Sequence, residues 1–192
     1  MAQHPTSRRV LLNAAAVRRT LARMAHEILE RNRGTEGLAL VGVVSRGDLL
    51  AARLRDQIRL VEGAEVPVGR LDITLYRDDL ARTGARPMLR PTEIPFDLDD
   101  RTVVLVDDVL YTGRTTRAAL DALMDFGRPR AIQLAVLVDR GHRELPIQPD
   151  YAGHVIRTGR DEEVEVRLGG DPADDAVLLV EPALLADPQE GP

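Results

Sequence analysis

The sequence predicts an α/β domain, a central and mostly parallel sheet flanked by helices. Two observations carry this. Apolar, valine-rich runs recur at residues 38–45, 103–106 and 132–138, the composition of strands buried on both faces. Stretches with helical periodicity or helix punctuation alternate with them, as in βαβ units. The 192 residues show no internal repeat, low-complexity tract or linker, so a single domain spanning 1–192 is expected, with disordered termini.

Taken in order, residues 10–33 read as an amphipathic helix. Val17, Leu21, Met24 and Ile28 fall on one face of a 3.6-residue period. Asn13 is placed to cap it and Gly34 to end it, while Arg19, Arg23 and His26 share the opposite face. Residues 38–45 form the first strand, and Arg46-Gly47-Asp48 turns into a helix over 49–60. Residues 66–76 alternate in part and read as a second strand. Residues 77–95 are charged, carry Gly84, Pro87, Pro91 and Pro95, and lack periodicity, which predicts a long excursion. The strand at 103–106 ends in Asp107-Asp108. A helix over 115–126 follows, stopped by Gly127 and Pro129, then a strand at 132–138. Residues 142–149 read as a loop, and 164–168 and 177–180 as short elements.

Composition narrows the chemistry. There is no cysteine, which excludes disulfides, thiolate metal sites and cysteine nucleophiles. All 26 basic residues are arginine, so every cationic phosphate contact falls to Arg or to backbone N–H. Net charge is −5 but uneven. Residues 1–33 carry seven Arg against Glu27 and Glu30, leaving a basic N-terminal helix despite an acidic chain. No apolar run approaches the ~20 residues of a membrane span, and the N-terminus lacks a signal-peptide core. A cytoplasmic protein is the expectation.

The segment VVLVDDVLYTGRTTRA, residues 103–118, carries the functional signal. Two carboxylates stand where a buried strand ends, the place at which open α/β sheets bind ligands. Next comes Thr112-Gly113-Arg114-Thr115-Thr116, leading into a helix. A loop of this kind offers unpaired N–H groups, the positive end of the helix dipole and three hydroxyls to a phosphate. Gly113 lets the backbone approach closely. The acid pair can accept hydrogen bonds from vicinal ribose hydroxyls, so the whole reads a ribose 5-phosphate. Neither G-x-G-x-x-G nor GK[ST] is present, which removes the dinucleotide-binding and Walker alternatives.

This string resembles the 5-phosphoribosyl-1-pyrophosphate (PRPP) signature of type I phosphoribosyltransferases. Together with AHEILERN, LDITLYRDDL and QLAVLVDRGHRELPI, in this order and spacing, it resembles the PyrR family. These are pyrimidine-operon regulators that also have uracil phosphoribosyltransferase activity. The likeness runs from about Val17 to Tyr151. It implies a type I phosphoribosyltransferase fold with a small hood, about 138–185, and a flexible loop over 71–95.

The resemblance implies ribose contacts at Asp107 and Asp108 and a phosphate loop at Thr112, Gly113, Arg114, Thr115 and Thr116. It places a pyrophosphate loop at Ser45-Arg46-Gly47, which otherwise reads as an ordinary turn. Arg77 would meet the pyrophosphate as charge develops, and Val138, Asp139 and Arg140 would hold the base. Mg²⁺ is expected, held mainly through PRPP. For binding of leader mRNA, with transcription attenuation under UMP or UTP, the implied surface is Arg19, Arg23, His26, Arg31 and Arg143. A homo-oligomer, dimer or tetramer, is implied, and no membrane. This chain departs from the family pattern at Val44, where a Lys or polar residue is common, at Ala22 for Thr, and at Gln148 for Arg. Three readings stay open: an enzyme and RNA-binding regulator, an enzyme that has lost RNA binding, and a non-catalytic nucleotide sensor. No residue stands out as a general base for the uracil N1 proton.

Overall fold

The computed structural model describes residues 7–77 and 90–181. The termini expected to be disordered, and residues 78–89 of the loop expected to be flexible, lie outside the described residues. The chain runs β1 (Ser7–Leu12), α1 (Ala14–Asn32), β2 (Leu38–Val43), α2 (Gly47–Glu62) and β3 (Val68–Leu71), then a 3₁₀ turn (Thr74–Tyr76). It continues through β4 (Thr102–Leu110), α3 (Arg114–Met124), β5 (Ala131–Asp139), β6 (Tyr151–Val155), β7 (Glu163–Arg167), a second 3₁₀ turn (Pro172–Asp174) and β8 (Ala176–Glu181).

Five strands form a parallel sheet in the order β3-β2-β4-β5-β6. One face buries Val104, Val106 and Leu40 against Leu21, Met24 and Ile28 of α1 and Leu50, Leu54 and Ile58 of α2. The other buries Val103, Leu105 and Val41 against Ala118, Ala119, Ala122 and Leu123 of α3. Continuous apolar strands follow from this two-sided burial. The α1 stripe and the Asn13 cap stand as expected: Asn13 Oδ1 accepts the Ala16 N–H at 3.0 Å.

The remaining strands make a smaller antiparallel sheet, β1-β8-β7. Residues 10–12, read as the start of the helix, instead belong to β1, which pairs Ser7 with Glu181 and Val10 with Leu178. The small sheet within the segment expected to form the hood, about 138–185, thus takes a strand from the N-terminus, while Val138 and Asp139 belong to β5 of the central sheet. Arg53 of α2 ties the two parts together. Its guanidinium meets the buried Asp175 carboxylate and donates to Gly169 O at 2.7 Å. The strand expected over 66–76 is shorter, ending at Leu71, because Asp72 turns the chain into the 3₁₀ helix. Among the described residues, no helix is long and apolar enough to cross a membrane.

Candidate active site

The strand order dictates where a ligand sits. From β2 the chain moves outward to β3, and from β4 it moves the other way, to β5. The carboxyl ends of β2 and β4 therefore flank a topological switch point, where the connecting segments diverge and leave a crevice. The loop after β2 is Ser45-Arg46, and the loop after β4 is Tyr111-Thr112-Gly113, so the fold brings both predicted loops to one crevice.

Two glycines set the fit. A Cβ on Gly47 would lie 2.3 Å from Val106 O, and one on Gly42 would lie 2.3 Å from Gly47 O. The N-terminus of α2 thereby rests directly on β4 beside the acid pair. The Val44–Ser45 peptide is cis. Ser45 and Arg46 are exposed at the mouth, and Arg46 reaches Asp108 Oδ2 at 3.6 Å.

The acids lie within β4 rather than after it. Pairing with the equally long β5 continues to Leu110, matched with Asp139. Successive strand residues face opposite sides, so Asp107 follows Val103 and Leu105 toward the α3 side, and Asp108 follows Val104 and Val106 toward α2. Asp107 is buried and Asp108 half-buried. Burial, and then the neighbouring Asp108 carboxylate, push the Asp107 carboxyl well above its usual range. Asp107 Oδ1 accepts the Asp108 N–H and Asp108 Oδ1 accepts the Val109 N–H, each at 2.9 Å.

Two cavities meet here. One, about 290 Å³, is lined by Arg77, Tyr111 and the loop Thr112, Gly113, Arg114, Thr115 and Thr116. The other, about 230 Å³, is lined by Ser45, Arg46, Thr74, Arg77, Asp107, Asp108 and Thr115. Arg77, Val109 and Thr115 line both. Gly113, at φ 92, directly precedes α3 and adopts the left-handed conformation that lets the loop turn into the helix. The paired cavities suit a ligand with an anionic group at each end and a hydroxylated centre near the acids.

Val138, Asp139 and Arg140 are buried, and their side chains line neither cavity. Arg140 stacks on Tyr111, 4.2 Å from the ring centroid, and His142 meets the same ring edge-on. Arg140 N–H donates to Leu110 O, and Asp139 O accepts from Ile156 N–H, so part of this backbone is spent on holding β5. Tyr111, which sequence reasoning did not single out, is the group that carries this region to the cavity wall.

The predicted RNA surface divides in two. Arg19, Arg23, His26 and Arg31 are exposed on α1. Arg23 braces β6 through Gly153 O and Ala152 O, at 2.5 and 3.3 Å, and pairs with Glu27; Arg31 pairs with Asp150. Arg143 behaves differently. Only 14% exposed, it bonds the Asp139 carboxylate at 2.6 Å and the carbonyls of Tyr111, Gly141 and Ile147 at 2.9–3.1 Å. It holds the Tyr111–Thr112 loop, as do Glu144 N–H and Leu145 N–H, both donating to Thr112 O. Arg143 and Gln148 also line a third cavity, about 430 Å³, with His142, Arg157 and Thr158 at the ends of β5 and β6.

Among the described residues no group of three or more His, Asp or Glu could hold a metal. The donor set at the crevice is two carboxylates. That suits a hard cation which keeps water and substrate oxygens, and not a cage built by the protein.

The phosphoribosyl transferase domain family matches residues 8–166. Solved structures with the same fold include hypoxanthine phosphoribosyltransferase from Trypanosoma cruzi, with TM-score 0.62 and 21% identity over 77% of this chain and 80% of that one. A hypoxanthine-guanine phosphoribosyltransferase from Bacillus anthracis aligns with TM-score 0.61 and 18% identity over 81% and 86%. Fold, crevice and domain match define the chain as a phosphoribosyltransferase. The chain is also 58% identical over 172 residues to the bifunctional protein PyrR of Deinococcus radiodurans, covering 90% of this chain and 94% of the relative. To that of Thermus thermophilus it is 61% identical over 171 residues, 89% and 94% of the two. It belongs to the PyrR family.

Proposed function

We propose that this chain converts uracil and PRPP to UMP and pyrophosphate, and regulates pyrimidine genes by UMP-dependent binding of leader mRNA. The observation that carries the catalytic part is the pair of cavities sharing Arg77 and Thr115 beside Asp107 and Asp108. In this reading the 5-phosphate lies on the N–H groups and hydroxyls of Thr112 to Thr116. The ribose hydroxyls lie on the acids, and the pyrophosphate on Ser45, Arg46 and Gly47.

Uracil N1 forms its bond to the anomeric carbon as the carbon–oxygen bond to pyrophosphate breaks, and the N1 proton passes to solvent water. Arg46 and Arg77 oppose the charge that gathers on the leaving group, an electrostatic contribution on the order of several kcal/mol. Mg²⁺, carried by PRPP and met by Asp107 and Asp108, would supply further charge neutralisation. The base would rest near Tyr111, behind which Arg140 and the 138–140 backbone lie.

For regulation, the supporting observations are the exposed basic residues Arg19, Arg23, His26 and Arg31 of α1 and, separately, a cavity lined by Arg143 and Arg157. A cytoplasmic homo-oligomer completes the proposal. The test is pyrophosphate release from PRPP with a panel of bases. Uracil should lead cytosine, hypoxanthine and orotate, and preference for another base would refute the assignment.

A further inference from the structure

Asp72 directly follows β3, and its carboxylate joins the outgoing stem, residues 72–77, to the segment that begins at Arg90. Asp72 Oδ1 accepts the Thr74 N–H at 2.8 Å and the Thr74 hydroxyl. Asp72 Oδ2 accepts the Arg90 N–H at 2.6 Å. The Asp72 N–H donates to Thr92 Oγ1 at 3.0 Å. Just beyond, Arg70 and Glu93 exchange both backbone hydrogen bonds, at 2.8 and 2.9 Å. Burial opposes ionisation of Asp72, but the hydrogen bonds from Thr74 and Arg90 prevail and hold its carboxyl below the ordinary 3.8.

The outgoing stem is part of the crevice wall. Ile73, Thr74 and Arg77 line the cavity that holds Arg46 and the acid pair. Between them the chain turns through Thr74–Tyr76, and the Tyr76 hydroxyl donates to Asp125 just after α3. The turn is thus anchored at its start by Asp72 and at its end by the helix that begins at the phosphate loop. Arg77 follows at once, in extended conformation.

We propose that Asp72 is a positioning residue for the transfer reaction: it clamps the two stems, fixes the Thr74–Tyr76 turn and so sets where Arg77 meets the pyrophosphate. This rests on the phosphoribosyl-transfer reading of the site. A carboxylate is required because two acceptor oxygens serve two stems at once. An amide supplies only one.

The test is a cycle of Asp72→Asn, Arg77→Ala and the double variant, with Asp72→Ala as a harsher probe. Rates are read as PRPP-dependent pyrophosphate release, per mole of protein shown to be folded by its melting transition. Asp72→Asn should lower kcat about tenfold with a smaller change in KM for PRPP, since an interaction formed mainly in the transition state shows that split. If Asp72 acts through Arg77, the double variant should be no slower than Arg77→Ala alone. Losses that multiply would show that Asp72 acts independently of Arg77 and would overturn the proposal. So would native kcat in folded Asp72→Asn or Asp72→Ala. A native protein active with a base other than uracil overturns the uracil reading, and the cycle is then decided with that base. A native protein active with none overturns both.

Discussion

Gly47 offers a sharp test of how the crevice is built, because its replacement meets backbone on the opposite side. In Gly47→Ala the new methyl would stand 2.3 Å from Val106 O and 3.2 Å from Asp107 Cα. Neither atom belongs to a flexible side chain, and β4 is locked between β2 and β5. Relief to an ordinary contact of 3.4 Å therefore needs a shift of about 1 Å, which we expect the start of α2 to take up, since Ser45 and Arg46 ahead of it are exposed. Overpacking of this kind costs about 1–3 kcal/mol, which a domain of this size survives. The shift carries Ser45 and Arg46 away from the acids, and a misplacement of about 1 Å can reduce a rate about a hundredfold. Steady-state kinetics with PRPP and uracil, alongside thermal melting, should show a modestly lowered Tm and kcat/KM down by about ten- to a hundredfold. A folded Gly47→Ala protein with native kcat/KM would refute the placement of the pyrophosphate loop.

Other outcomes follow from the same geometry. Arg77→Ala should lower kcat more than it weakens PRPP binding; unchanged kcat with weaker binding would move Arg77 to a ground-state role. Asp107 is held protonated to a higher pH in the folded chain than in the unfolded one. Its charge therefore costs stability above the folded pKa, and that cost vanishes below the unfolded value of about 3.9. Ligand-free Asp107→Asn should melt higher than native at neutral pH and lose that advantage near pH 4. An equal Tm difference at both pH values would contradict this. Arg19→Ala with His26→Ala should weaken leader-RNA binding and flatten its salt dependence by about one unit per lost phosphate contact, with uracil conversion retained. Retained binding with an unchanged salt slope would clear this face of the role. Arg23 and Arg143 are poorer probes, since one braces β6 and the other the phosphate loop.

The central strands were legible because burial on both faces leaves no room for polar residues, so 103–106 and 132–138 announce themselves. β1 was not, because Ser7–Leu12 is a strand only through its pairing with β8 at the other end of the chain. The α1 pattern stands out from its own periodicity, but periodicity alone carries it back over residues 10–12, which pair with β8. β6 leaves no valine-rich run: Tyr151–Val155 includes Gly153, whose missing side chain makes room for Met24 and Thr20. In the site, Asp107, Asp108 and the Thr112–Thr116 loop are contiguous and could be read directly. Ser45 and Arg46 needed the strand order to bring them alongside. Asp72 and Arg143 left little trace because most of their partners are backbone N–H and carbonyl groups, which no side-chain pattern records. Only Asp72-Ile73-Thr74, a carboxylate two residues before a hydroxyl, hints at a turn.

The most direct test of the account is PRPP- and Mg²⁺-dependent conversion of uracil to UMP by native protein and by Asp107→Asn/Asp108→Asn. The native chain should convert uracil, and each single substitution should lower kcat/KM by at least about tenfold, the scale of one lost charged interaction of ~1.4 kcal/mol. The double variant should be lower still. Full activity in a folded double variant would contradict the assignment of the acid pair to the ribose.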